Sequence, residues 1–124
     1  MLLKKGLSVN ILTYNGATVF LEHAIKSVHD YASEILVYDS GSTDNTKEIL
    51  QKFDKVRYFY KDVQSLGQTW TNSKKDLELT SMLNELKNNS EYEWILKIDD
   101  DEIFPKEIME EIKAKFNKRI QTPE

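Results

Sequence analysis

Asp99, Asp100 and Asp101 follow an apolar run, Trp94-Ile95-Leu96-Lys97-Ile98, so three carboxylates stand side by side where a strand would end. Like charges held this close repel, and a folded chain needs something to offset them. A hard divalent cation does so: Mg2+ and Mn2+ take one or two carboxylates and complete their shells with phosphate oxygens. The alternative is a solvated acidic turn leading into a helix, whose N-terminus tolerates acids through its dipole. The triplet alone leaves these two readings level.

A second polar cluster, Asp39-Ser40-Gly41-Ser42-Thr43-Asp44-Asn45-Thr46, also follows an apolar run, Glu34-Ile35-Leu36-Val37-Tyr38. A carboxylate in that position can accept from a ribose hydroxyl or a base N–H. Gly41 lets the backbone turn tightly. Ser42 or Thr43 is expected to cap the following helix, with Asp44 well placed on its dipole. Asp39 precedes the turn, so capping does not account for it, and it is a candidate ligand contact. A third cluster, Thr13-Tyr14-Asn15, could set an aromatic ring over a nucleobase with polar atoms at its edge. On its own Tyr14 reads first as a partly buried packing residue, and the segment gains weight only from its context.

Neither a G-x-x-x-x-G-K-[ST] phosphate loop nor a G-x-G-x-x-G fingerprint occurs. Phosphate would then be held mainly through a metal, which agrees with the triplet and argues against a dinucleotide oxidoreductase. His23 and His29 are six residues apart on a predicted helix and do not match a metal pair at i and i+4, so both are read as surface or packing residues. Lys74 and Lys75, just after Trp70-Thr71-Asn72, could screen a diphosphate or simply solvate a helix start.

The elements that must carry these clusters alternate. Strands are expected over 7–13, 34–38, 56–60 and 92–98, each short and apolar. Helical spacing joins Val19, Phe20, Ala24, Ile25 and Val28, with Thr18 as cap; then Ile49, Leu50 and Phe53; then Leu77, Leu79, Met82, Leu83 and Leu86 in a helix from Trp70; then Ile108, Met109, Ile112 and Phe116 after Pro105. Gly67 lies in a predicted loop over 62–69. Asn10, inside the first strand, needs a buried partner. The residues 121–124 are expected to fray. The order β-α-β-α-β-α-β-α predicts an α/β fold, a mostly parallel sheet flanked by helices. Right-handed crossovers set every strand's carboxyl end along one edge, where ligands bind at a switch in strand order. All three polar clusters fall on that edge, which favours the metal-site reading.

With 124 residues the chain has room for one domain and one core. A net charge of -4 argues against a general nucleic-acid binder. The absence of cysteine excludes disulfides and thiol chemistry. No apolar run nears the roughly 20 residues that span a bilayer, and the start is too short for a signal peptide. The expected location is cytoplasmic, with a peripheral membrane position left open.

Four blocks together resemble a known family: Ser8-Val9-Asn10-Ile11-Leu12-Thr13-Tyr14-Asn15, Ala24-Ile25-Lys26-Ser27-Val28, Glu34 through Thr46, and Glu93 through Glu102. The chain resembles the N-terminal half of a GT-A fold, family 2 glycosyltransferase, over about residues 7–105. The Asp-Ser-Gly-Ser-Thr-Asp and Asp-x-Asp-Glu forms look most like the branch that adds sugars to lipopolysaccharide core or related bacterial surface glycans.

The resemblance implies a nucleotide-diphospho-sugar donor, a glycan or lipid-linked acceptor, and Mg2+ or Mn2+. It carries Tyr14 to the base, with Thr13 and Asn15 beside it, and Asp39 and Ser40 to the nucleoside. Asp101 becomes the metal ligand, Asp99 assists through ribose or water, and Asp100 occupies the variable middle position. The cation would offset charge on the departing nucleoside diphosphate.

Three features depart from the pattern. Ser40 stands where many members have a second acid. Thr71-Asn72 stands where the branch often has Arg-Asn. Family enzymes continue for roughly another hundred residues, a segment of domain size that carries acceptor-side strands and the general base. Residues 1–124 are therefore expected to be one truncated donor-binding domain without a catalytic base of its own, and apolar surface left open by the missing half could drive self-association. The alternative is a non-catalytic module that holds a nucleotide or nucleotide-sugar.

Overall fold

The computed structural model describes residues 2–18, 20–64 and 72–121, without the side chains of residues 18, 72–75 and 117–121. Val19, Gly67, Trp70, Thr71 and the tail beyond 121 lie outside the described residues, as do the side chains of Asn72, Lys74 and Lys75.

Strand β1 spans Lys4–Thr13 and is followed by a single 3-10 turn over Gly16–Thr18. Helix α1 (Leu21–His29), β2 (Glu34–Asp39), α2 (Thr46–Leu50) and β3 (Val56–Tyr60) come next. Helix α3 (Asn72–Asn89), β4 (Tyr92–Asp99) and α4 (Lys106–Gln121) complete the order. The predicted alternation is the observed one. The four strands form one sheet in the order β3-β2-β1-β4, and every pair is parallel.

That order dictates the layers. From β1 to β3 the chain steps in one direction, so right-handed crossovers put α1 and α2 on the same face. The step from β3 to β4 reverses direction, and α3 must cross on the other face. On the first face Leu7, Val9 and Ile11 of β1 pack with Leu21, Ile25 and Val28 of α1, Leu50 of α2, and Met109 and Phe116 of α4. On the second, Leu36 and Tyr38 meet Met82 and Leu86 of α3. Strand β2 is buried along its whole length, as a central parallel strand should be.

Several expected inward residues face elsewhere. Leu77 is 70% exposed, because the inner line of α3 runs through Leu79, Met82 and Leu86, three and four residues apart. In α4 the line is Met109, Ile112 and Phe116, and Ile108, one residue off it, is turned outward. Phe20 precedes α1 and is exposed. Thr18 falls in the 3-10 turn, and α1 begins at Leu21 with no side-chain cap. Asn10 finds its partner: Ser90 Oγ lies 3.2 Å from Asn10 Oδ1, both residues buried.

The register brings the strand ends into line. Thr13 pairs with Asp39, Asp39 with Tyr60, and Leu12 with Asp99. At the opposite edge, buried Glu34 is matched by Arg57 Nη1 at 2.9 Å and by Ser8 Oγ at 2.7 Å. At the carboxyl edge, Lys97 Nζ pairs with Asp99 Oδ1 at 2.8 Å.

Candidate functional site

The switch in strand direction falls between β1 and β4, and the chain's acids gather beside it. Thr13 ends β1 buried, and its hydroxyl donates to Asp100 Oδ2 at 2.9 Å. The Tyr14 amide also donates to that carboxylate. Asp100 is half-buried, and burial pushes its carboxyl above the usual range, with Asp101 and Asp99 adding to the rise and the Thr13 and Tyr14 bonds opposing it. Asp99 and Asp101 are exposed. Asp99 accepts from Lys97, and its backbone amide donates to Glu102 Oε1 at 2.6 Å. The triplet is therefore divided: the residue at the variable middle position is the one tied to β1, while its neighbours face solvent. Tyr14 is 45% exposed beside this group.

Asp39 is almost wholly buried, and its carboxylate organises the turn after β2. Oδ1 accepts from the backbone amides of Gly41 at 3.0 Å and Ser42 at 2.8 Å. This is the local side-chain turn that aspartate favours. Oδ2 accepts from the Tyr58 hydroxyl at 2.8 Å. Burial first, and then the Asp39 charge, hold the Tyr58 hydroxyl well above the usual tyrosine range. Gly41 has φ of +124°, and a Cβ there would sit 2.6 Å from Asp62 Oδ1, so the turn requires glycine.

Ser40 is buried; its hydroxyl lies 3.3 Å from the Thr13 carbonyl and 3.4 Å from Gln64 Nε2. Asn15 adopts φ of 53°, a left-handed conformation that asparagine tolerates. Its amide donates to Ser42 Oγ at 2.7 Å, and its Oδ1 accepts from the Thr43 amide at 2.8 Å. Ser42 and Thr43 are thus bound to the β1 loop and do not cap α2. The N-cap position of α2 is Asn45, which makes no side-chain cap bond; one residue earlier, Asp44 Oδ1 accepts from the Thr46 amide at 3.0 Å and from the Thr46 hydroxyl.

A cavity of about 400 Å³ opens beside Asp39, lined by Ser42, Asp44, Lys47, Glu48, Tyr58 and Tyr60. Lys47 Nζ sits 5.8 Å from the centre of the Tyr58 ring, within cation–π range. Tyr58 and Tyr60 are strand-end residues that sequence reasoning passed over. The signal was present: β3 ends in three aromatics, Tyr58-Phe59-Tyr60, which the parallel register aligns with Val37, Tyr38 and Asp39 of β2. A larger groove of about 710 Å³ runs along α3, lined by Tyr38, Lys61 and helix residues, away from the β1–β4 junction.

Asp99 and Asp101 supply two carboxylates, the hard-oxygen donor set that suits Mg2+ or Mn2+ completed by phosphate. No group of three His, Cys, Asp or Glu that could hold an ion by itself occurs among the described residues.

The model of the family described as "Glycosyl transferase family 2" matches residues 8–120. An uncharacterized glycosyltransferase of Mycoplasma genitalium is 34% identical over 113 residues, which cover 81% of this chain and 33% of that protein. An uncharacterized glycosyltransferase of Rickettsia bellii is 34% identical over 120 residues, 97% of this chain and 36% of the relative. The chain spans about a third of the length of the curated relatives it matches.

Proposed function

The chain belongs to glycosyl transferase family 2, and on that premise we propose that its carboxyl edge grips a nucleotide-diphospho-sugar together with Mg2+ or Mn2+. Members of this family commonly use a divalent metal. The observation that carries the reading is the Thr13–Asp100 bond, which joins the loop bearing Tyr14 to the turn bearing Asp99 and Asp101.

In this reading Tyr14 stacks on the base, flanked by Thr13 and Asn15. Asp39 contacts the nucleoside. Each carboxylate oxygen can accept twice, and Oδ2 holds one donor, Tyr58, so a base or ribose donor has a place to bind. Ser40 acts from behind, fixing the Thr13 backbone. Asp101 would hold the metal, with Asp99 assisting. When bound, the cation offsets charge developing on the departing nucleoside diphosphate. Residues 1–124 form the donor-binding part of a transferase in this reading, and the described acids beyond the triplet, Glu102 and then Glu107, Glu110 and Glu111 on α4, are exposed.

The acceptor we favour is a glycan or lipid-linked glycan of the lipopolysaccharide-core or surface-glycan kind, reached from the cytoplasmic face of a membrane. No helix among the described residues is long and apolar enough to cross a membrane. A second reading keeps the grip without the transfer: a module that binds a nucleotide or nucleotide-sugar. Calorimetry tests the shared part. Mn2+ should strengthen binding of a nucleoside diphosphate, and Asp101→Ala should abolish that gain; equal affinity with and without metal in both proteins would remove the metal bridge. Sugar transfer or donor hydrolysis by this chain at ordinary enzyme rates would dispose of the second reading.

A further inference from the structure

Tyr14, the residue read as stacking on the base, is fastened on both sides to the turn after β2. On one side the Thr13 carbonyl accepts from the Ser40 amide at 3.0 Å. On the other the Asn15 amide donates to Ser42 Oγ at 2.7 Å, and Asn15 Oδ1 accepts from the Thr43 amide at 2.8 Å. The same Ser42 gives its own amide to Asp39 Oδ1 at 2.8 Å. A short chain of bonds therefore runs from the residue after Tyr14, through Ser42, to the Asp39 carboxylate. Its far end is fixed as well, because the Tyr58 hydroxyl donates to Asp39 Oδ2. All of these contacts join segments at the carboxyl ends of β1, β2 and β3, so they are internal to the described chain.

Two polar groups of Asn15, one of the backbone and one of the side chain, reach the same turn while its φ is 53°. Few residues suit that place. Glycine takes a left-handed conformation freely but brings no acceptor, whereas asparagine and aspartate tolerate it and bring one. We propose that Asn15 is a positioning residue: it sets the gap between the Tyr14 ring and the Asp39 carboxylate, and with it the fit of the donor's nucleoside. The inference rests on the donor reading and deepens it. The metal and diphosphate depend on the separate turn after β4, so the effect of Asn15 is confined to the nucleoside half of the site. A base received between two groups already held in place costs less ordering on binding.

Calorimetry in Mn2+ tests this by comparing the common ribonucleoside diphosphates with inorganic pyrophosphate. The readout is the ratio of the best nucleoside diphosphate's affinity to that of pyrophosphate. Asn15→Gly keeps the left-handed backbone and removes the acceptor for Thr43; it should lower the ratio by about fivefold, the net worth of a hydrogen bond. Ser42→Ala leaves the Asn15 residue itself untouched, removes the acceptor for its amide, and should lower the ratio to a similar extent. Asn15→Asp keeps an acceptor for Thr43, and its added charge weakens both ligands, so the ratio stays near that of the unaltered chain. A ratio that ignores both Asn15→Gly and Ser42→Ala, or that falls as far in Asn15→Asp as in Asn15→Gly, overturns the inference and leaves the donor reading standing. Both affinities falling together, as general loosening of the fold produces, overturns it too. A chain that binds no nucleoside diphosphate overturns the donor reading and this inference with it.

Discussion

Thr13 Oγ1 donates to Asp100 Oδ2 at 2.9 Å, and that bond fastens the end of the first strand to the turn after the last one. It holds together two segments on either side of the place where the sheet reverses its direction of growth.

The carboxyl of Asp100 is held above its ordinary range, mainly by burial. A raised carboxyl favours its protonated form in the fold. Its contribution to stability is thus complete below the unfolded carboxylate pKa and is lost as pH rises through the folded value. Asp100→Asn keeps an acceptor for Thr13 and removes the buried charge. It should raise the thermal midpoint at neutral pH and lose that advantage in acid, below the carboxylate range. Thermal melts of both proteins across pH check this, and a constant difference at all pH values would contradict it.

Tyr58→Phe should destabilise the protein by about 1–3 kcal/mol, because Asp39 Oδ2 is buried and would lose its donor. Urea unfolding measures the difference. A neutral outcome would mean that water replaces the hydroxyl.

Gly41→Ala tests the turn itself. The positive φ alone costs about 1–3 kcal/mol for a residue with a Cβ, and the added carbon meets Asp62 Oδ1. Denaturant midpoints should fall, and nucleotide affinity should fall with them, because the same turn holds Asp39.

Tyr14→Ala should separate binding from stability. The ring is 45% exposed, so its loss should leave the unfolding midpoint nearly unchanged. Base–aromatic stacking is worth about 1–3 kcal/mol, so nucleoside-diphosphate affinity should drop by roughly tenfold or more. Calorimetry beside a melt reads both quantities.

The alternation of strands and helices was legible because parallel strands buried on both faces read as continuous apolar runs, as in Glu34–Asp39. The gathering of Thr13, Asp39 and Asp99 on one edge followed from the parallel strands that the β-α alternation implies. Side-chain direction was not legible. Nothing in Asp99-Asp100-Asp101 says which carboxylate turns toward β1, and that depends on how the chain leaves β4. The cap of α2 was misassigned for a similar reason: Ser42 and Thr43 had a competing partner in Asn15, 27 and 28 residues away. Tyr58 lay hidden because its role needs the register between β2 and β3. The stripe errors at Leu77 and Ile108 are small rotations that helical spacing does not resolve.

The central place of β1 also sets an order of events. Its contact with β2 joins residues 26 apart, as between Ser8 and Glu34, whereas its contact with β4 joins residues 87 apart, as between Thr13 and Asp100. Closing the longer loop costs about 1 kcal/mol more in chain entropy, and distant parallel pairings form slowly. During folding, the first three strands can assemble while the last is still unplaced. The acidic turn then arrives at a surface already built, so a folding intermediate that has β1 to β3 in place still lacks the paired ends that would hold a ligand.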